Sequence, residues 1–393
     1  MRGMRWSWRE VAGAFGDLGV LVPIAVALIV VNGLSATAVL LPAGILYVVS
    51  GLVYRVPVPV QPLKAFGAIA IAQGLGSDVI AAGALLMGAI FVVLGATGLL
   101  DRAARWVPQP VIRGVQLSVG LLFLTVAWGL TSSPPAAFTD AGRPSWWLLG
   151  GALLVALAAG LWRQRLVTLG LVALAVGAIA WHGPQLSLGP SALRVPSLDA
   201  ATFGLAFTVL VLPQLPLTFA NSCLATADVA RDYFGGAARR VTPGRLATSL
   251  GLTNLVVGAV GGMPVCHGAG GMSAHRAFGA RTGAAAVVMG VVLVALAVVL
   301  GSALAGLLVA FPLPVLAGLL AVAGVVHVLL LRDVRGAWDW TTVLVVGLLG
   351  LAGQLGLGLL VGLVLAWAPR LRARRAAELS SRRRAAPYPG GSR

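Results

Sequence analysis

The sequence predicts an all-α polytopic membrane protein of about fourteen transmembrane segments, arranged as a seven-plus-seven inverted repeat. Three observations predict it. The chain is extremely apolar, and its few charges are concentrated between the apolar runs. Arginine falls almost entirely on one side of a simple alternating topology. Two proline-containing extended stretches, each followed by a short helix, recur seven crossings apart.

Of the 393 residues, 59% are hydrophobic and 10% charged, with a mean hydropathy of +0.97. A soluble domain carries roughly 25% charged residues. The 52 glycines and 22 prolines suit broken, closely packed membrane helices. The net charge of +17 does not make this a nucleic-acid binder, because the arginines lie in loops and tails between apolar runs. Arg2, Arg5 and Arg9 before an apolar run imitate a signal peptide, but Asp17 and Pro23 interrupt that run. A first transmembrane helix is expected instead. Cys223 and Cys266 lie in apolar segments and form no disulfide framework. No nucleophile–base constellation, metal-ligand spacing or Walker loop is present, so neither an enzyme, a metal site nor a cofactor is expected.

A span needs about 20 apolar residues, fewer if it is broken. Segments 11–31 and 36–54 read as full spans, followed by a strand and half-helix at 57–74. Spans follow at 79–100, 109–130, 146–162 and 166–182. Segment 202–230 is a span interrupted by Pro213 and Pro216, and 246–262 is another. An irregular stretch at 263–271 leads into a short helix at 272–280. Spans at 284–306, 312–330, 340–356 and 357–369 complete the series, and the Arg-rich tail 370–393 is expected to be disordered and cytoplasmic. With the N-terminus in the cytoplasm, 25 of the 27 arginines fall on the cytoplasmic side, Arg143 and Arg194 excepted. Both termini are therefore expected in the cytoplasm of a cell-membrane protein.

The stretch Pro57-Val58-Pro59-Val60-Gln61-Pro62 cannot start a helix, since proline lacks the N–H and biases its predecessor toward extended geometry. From Leu63 to Gln73 a half-helix can form. The second copy reads Met263-Pro264-Val265-Cys266-His267-Gly268-Ala269-Gly270-Gly271. Extended backbone at membrane depth is tolerated where it is buried in protein or lines a cavity. The odd offset of seven crossings turns the two copies upside down relative to each other, so both half-helix N-termini converge at the midplane. Helix N-termini present free N–H groups and a positive dipole end, which suits an anion. Read alone, Gly268-Ala269-Gly270-Gly271 is equally a close-packing motif.

These residues resemble a known family. Phe15-Gly16-Asp17-Leu18-Gly19 with Pro23, and the 57–65 stretch, look like first-half motifs of the molybdate transporter family (MOT1). Leu212-Pro213-Gln214-Leu215-Pro216, Asn221-Ser222, Ala225-Thr226-Ala227-Asp228 and the 261–271 stretch, with His275-Arg276, look like its second-half motifs. That family is a distant relative of the sulfate permeases (SulP/SLC26). The resemblance implies a first repeat over 1–182, with core part 11–100 and gate part 109–182. It implies a second repeat over 202–369, with core part 202–306 and gate part 312–369. It also implies a homodimer, while the short basic tail leaves no room for the STAS domain that the sulfate permeases carry. Transport of a tetrahedral oxyanion follows, molybdate first, with sulfate, a general oxyanion or an anion channel on the same fold as alternatives.

Lys64 is the only lysine, and an intramembrane ammonium is a site candidate by default, although a lysine can also snorkel to the membrane face. Substrate contacts are expected from Lys64, Gln61 and Ala65 in the first half, and from Gln214, Asn221, His267, Gly268, Ala269 and Gly270 in the second. A proton is the expected coupling ion, because it offsets part of the charge of a dianion. Asp17, His267 and Asp228 are its candidate carriers, and Asp228 alternatively pairs with Arg231 three residues on. His267 and His275 lack the carboxylate or thiol partners of a metal site.

Overall fold

The computed structural model describes residues 4, 6–100, 108–161, 165–181 and 187–368, and every structural statement below concerns those residues. The expected tail 370–393 and the polar turn at 101–105 lie outside them.

The first half opens with Trp8–Ala14, a single 3-10 turn at Phe15–Asp17, and Leu18–Val30. Ser35 caps the next helix, Ala36–Tyr54, by accepting from Ala38 N at 3.3 Å. Arg55 ends that helix in the left-handed conformation, with φ of 60°. Pro57 then holds the chain extended as far as strand β1, Gln61–Pro62. The half-helix Lys64–Ala72 and the long helices Ser77–Thr97 and Gln109–Ser132 follow. Ser145–Leu161 and Arg165–Trp181 close the half.

The second half begins at Ala200, where the Asp199 side chain accepts from Thr202 N at 2.7 Å. The expected span at 202–230 is more irregular than an α-helix. Two π-helical stretches, Phe207–Val211 and Thr218–Ala225, flank Leu212–Leu217, because Pro213 and Pro216 cannot donate to the α-helical ladder. The span continues through Thr226–Phe234. Thr242 caps Pro243–Ala259, and strand β2, Val265–Cys266, follows. The stretch read as irregular, 263–271, holds this short strand, and its half-helix, Ala269–Ala277, starts three residues before the expected 272 and ends three before the expected 280. The expected span at 284–306 is two helices, Ala284–Val299 and Gly301–Leu308, bent by 92° at Leu300. Leu313–Leu329, Ala337–Leu351 and Leu355–Ala368 complete the described chain. Six helices among the described residues are long and apolar enough to cross a membrane, or seven if the bent pair is one span.

Strands β1 and β2 pair antiparallel, with Gln61 opposite Cys266 and Pro62 opposite Val265. Leu63 N extends the pairing to Pro264 O at 3.0 Å. Around this crossing, helices meet through glycine. Ala36–Tyr54 packs on Ala284–Val299, where a Cβ on Gly44 would lie 2.9 Å from Gly290 O. Ser77–Thr97 packs on Pro243–Ala259, and Gln109–Ser132 on Leu313–Leu329 at Gly120 and Gly324. Leu154, Leu174, Trp181 and Val364 stay exposed on the outer surface. So large an apolar surface is unsuited to water and suits lipid.

Candidate functional site

The β1–β2 pair builds one wall of a cavity of about 570 Å³. Each strand stops where its half-helix starts, so both N-terminal turns sit beside the crossing. At the first, Gln214 Oε1 accepts from Phe66 N at 3.0 Å, and Gln214 Nε2 donates to Thr218 Oγ1 at 2.9 Å. At the second, the N-terminal residues Ala269, Gly270 and Gly271 line the cavity directly. The N–H groups of a first helical turn have no intrahelical partner, so this turn aims donors into the space.

Side chains extend this donor set. Lys64 Nζ donates to Gln61 Oε1 at 2.6 Å, and Gln61 Nε2 donates in turn to Asp17 Oδ1. An ammonium can only donate, so it fixes the orientation of the Gln61 amide. The Asp17 carboxylate is buried, lines the cavity, and keeps Oδ2 without a protein partner. The Lys64–Gln61–Asp17 chain fits because Gly271 offers no side chain: a Cβ there would lie 2.7 Å from Gln61 Nε2 and 2.8 Å from Asp17 Oδ2. Asn221, on the second π-helical stretch, also lines the cavity.

The structure thus brings Lys64, Gln61, Gln214, Asn221, Ala269 and Gly270 together around one space, with Asp17 among them. It places four other candidates elsewhere. His267 is behind the strand, with Nδ1 on Pro59 O at 2.8 Å and Nε2 on Ser249 Oγ at 3.0 Å. Tyr54 packs edge-on against that ring at 6.0 Å. With both nitrogens occupied, His267 braces the strand and does not face the cavity. Asp228 is exposed, paired with Arg231 and not part of the cavity lining. Ala65 is fully buried and Gly268 backs onto Gln61 Oε1, and neither lines the cavity.

Gln116 and His327 complete the opposite wall, from Gln109–Ser132 and Leu313–Leu329. Sequence reasoning missed both. For His327 the signal was there, since it is a lone polar residue in an otherwise apolar run, whereas Gln116 sits among Arg113 and Ser118 and stands out less. His327 Nδ1 is held by Ala323 O at 2.8 Å. Asn254 braces the crossing from behind, as Nδ2 donates to Val265 O at 2.9 Å and Oδ1 accepts from Val265 N at 2.8 Å.

A family model described as "Molybdate transporter of MFS superfamily" matches residues 9–123 and 206–326, over half of the chain. The chain belongs to this molybdate transporter family. The matched regions contain Asp17, Gln61, Lys64, Gln116, Gln214, Asn221 and Gly270, and stop one residue before His327. Molybdate transporter 1 of Arabidopsis thaliana is 30% identical over 90% of this chain and 86% of its own length. Molybdate transporter 2 of the same plant is 29% identical, over 89% and 85%. Molybdate transporter 1 of Chlamydomonas reinhardtii is 29% identical, over 91% and 90%. Among solved structures, the fold is that of the transmembrane domain of the cyanobacterial bicarbonate transporter BicA, at a TM-score of 0.63 and 17% identity over 91% of this chain and 96% of that one. It is also that of murine Slc26a9, an anion transporter solved in the inward-facing state. There the TM-score is 0.68 at 15% identity, over 95% of this chain and 70% of that one. As a member of this family the protein is a membrane transporter and not an enzyme.

Proposed function

We propose that this chain is a secondary active carrier of a tetrahedral oxyanion, with molybdate the preferred substrate and sulfate the nearest competitor. The observation that carries the reading is the cavity at the strand crossing, where Lys64 Nζ, the Asn221 amide and the Ala269–Gly271 turn supply donors to one space. A buried dianion is costly unless it is paired and hydrogen-bonded, and this donor set replaces part of its hydration. The curated relatives, named as molybdate transporters, favour that oxyanion.

Alternating access is supported by how the helices pair. Ala36–Tyr54 on Ala284–Val299 and Ser77–Thr97 on Pro243–Ala259 are equivalent contacts if the two halves form a seven-plus-seven inverted repeat of fourteen crossings. The same inversion equates the Lys64 half-helix against Gln109–Ser132 with the Ala269 half-helix against Leu313–Leu329. The first contact is closed, whereas the cavity lies between the second pair. The space runs along Ala277, Phe278, Val326 and Leu330 toward the end bearing Arg276 and Arg332, the cytoplasmic side in the arginine-biased topology. We read this as an inward-open form, in which core parts 11–100 and 202–306 move against gate parts 109–182 and 312–369. Both termini are then cytoplasmic in the cell membrane, and the related fold leads to a homodimer.

Proton symport follows from charge. An ionised Asp17 beside a dianion would add repulsion, of the order of 4 kcal/mol per unit-charge pair at 4 Å and an effective dielectric constant of 20. Protonating Asp17 removes it, and the free Oδ2 is where the proton would sit.

The test is uptake of radiolabelled molybdate into proteoliposomes, competed with sulfate and repeated with Lys64→Ala. Saturable uptake that resists excess sulfate and is lost in the variant supports a molybdate carrier. Equal competition by sulfate makes it a general oxyanion carrier. Absence of uptake by folded protein overturns the anion reading.

A further inference from the structure

We propose that Gln116 is an anion ligand supplied by the wall opposite Lys64, and that Arg113 is the positioning residue that aims it. The inference rests on the oxyanion reading of the cavity. Three glutamines line that space, and each has its carbonyl oxygen held by a group that can only donate. Lys64 Nζ holds Gln61 Oε1 at 2.6 Å, and Phe66 N holds Gln214 Oε1 at 3.0 Å. Arg113 Nη1 holds Gln116 Oε1 at 2.7 Å. In every case the amide nitrogen must point the other way.

What that nitrogen meets separates the three. Gln61 Nε2 is taken by Asp17, and Gln214 Nε2 by Thr218 Oγ1. Gln116 Nε2 meets no protein acceptor among the described residues, although the residue is buried, with 8% exposure, and lines the cavity. Two amide protons are left for whatever fills the space. An oxyanion, with acceptors on every side, is the ligand that uses them.

Arg113 is itself fixed. Its guanidinium pairs with Asp333, with Nε on Oδ1 at 2.8 Å, and Gln109 Nε2 donates to Asp333 Oδ2 at 2.9 Å. The pairing neutralises Arg113, so its contribution to the site is orientation of the Gln116 amide. The close approach of Gly120 and Gly324 sets Gln109–Ser132 against Leu313–Leu329, whose extension carries Asp333. An anion held between Lys64 and Gln116 therefore touches both walls. When the walls slide, the Gln116 contact breaks and the Lys64 contact stays, so Gln116 makes affinity depend on which side is open.

Equilibrium binding of radiolabelled molybdate to purified protein tests this, with melting temperature as the folding check. Gln116→Ala is expected to weaken binding about tenfold or more, the loss of a hydrogen bond to a charged group. Gln116→Glu keeps the Arg113 contact and the side-chain volume, and is expected to lose binding further by placing a carboxylate against the anion. Arg113→Ala is expected to weaken binding, and the Arg113→Ala/Gln116→Ala double variant to be no weaker than Gln116→Ala alone. A merely structural arginine would instead give additive losses. Wild-type affinity in Gln116→Ala and Gln116→Glu, with Lys64→Ala still defective, would overturn the inference and leave the oxyanion reading standing. Wild-type affinity in Lys64→Ala as well would overturn that reading itself.

Discussion

Asn254 and Val265 are locked together by a two-way contact, since one side-chain amide satisfies both the N–H and the C=O of one strand residue. Asn254 comes from the helix that delivers the chain to the crossing, so it anchors β2 from behind while β1 pairs in front. Removing the amide leaves two buried backbone groups unmet, at about 1–3 kcal/mol each. Asn254→Ala is expected to lower the melting temperature and abolish uptake together. Asn254→Asp, which can accept but not donate when ionised, should also be defective. Thermal unfolding monitored by tryptophan fluorescence checks both.

Gly271 and Gly270 are neighbours with opposite expectations. A Cβ on Gly271 would lie 2.8 Å from Pro59 Cβ as well as against Gln61 and Asp17, whereas a Cβ on Gly270 meets nothing within 4 Å. The proline ring cannot yield, so Gly271→Ala has to displace the Lys64–Gln61–Asp17 chain. Uptake is expected to fall to background in Gly271→Ala and to remain substantial in Gly270→Ala, as measured by initial rates at matched protein levels.

Asp17→Asn separates binding from coupling. The asparagine oxygen can still accept from Gln61 Nε2, so the chain to Lys64 is retained. The neutral side chain mimics the protonated carboxyl. Molybdate binding is expected to persist, while an imposed inward proton gradient no longer accelerates uptake. Acceleration equal to wild type would remove Asp17 from the coupling role.

Asp228 and His267 provide contrasting controls. Asp228 makes an exposed pair with Arg231, and such pairs contribute about 0–1 kcal/mol. Asp228→Asn should leave uptake and its pH profile unchanged. His267→Phe loses the bonds to Pro59 O and Ser249 Oγ, so stability should drop while the pH profile of any remaining uptake keeps its shape. A shifted profile would return His267 to the proton path.

Much of this arrangement was legible in the chain itself. Alternate prolines forbid helix at 57–62, and a rule that local needs no tertiary context. Apolar runs and the arginine bias set the membrane class for the same reason, and the lone lysine marked Lys64. The 92° bend at Leu300 had only a weak marker, the Gly301-Ser302 pair inside a long apolar run.

The sequence by itself determined that two extended segments interrupt the spans, that each starts a half-helix, and which polar residues lie near them. Only the tertiary structure decided which of those residues share a space. His267 follows β2 directly yet is turned from the cavity, because Pro59 O and Ser249 Oγ hold its ring, while Gly268 is closed off by the Gln61 side chain packed against it. Gln116 and His327 join the site from more than fifty residues away in the chain, because Gly120 and Gly324 let two helices close on each other. Local backbone chemistry acts along the chain and can be read there. The facing of a side chain is set by the elements packed against it, and that information lies in the contacts.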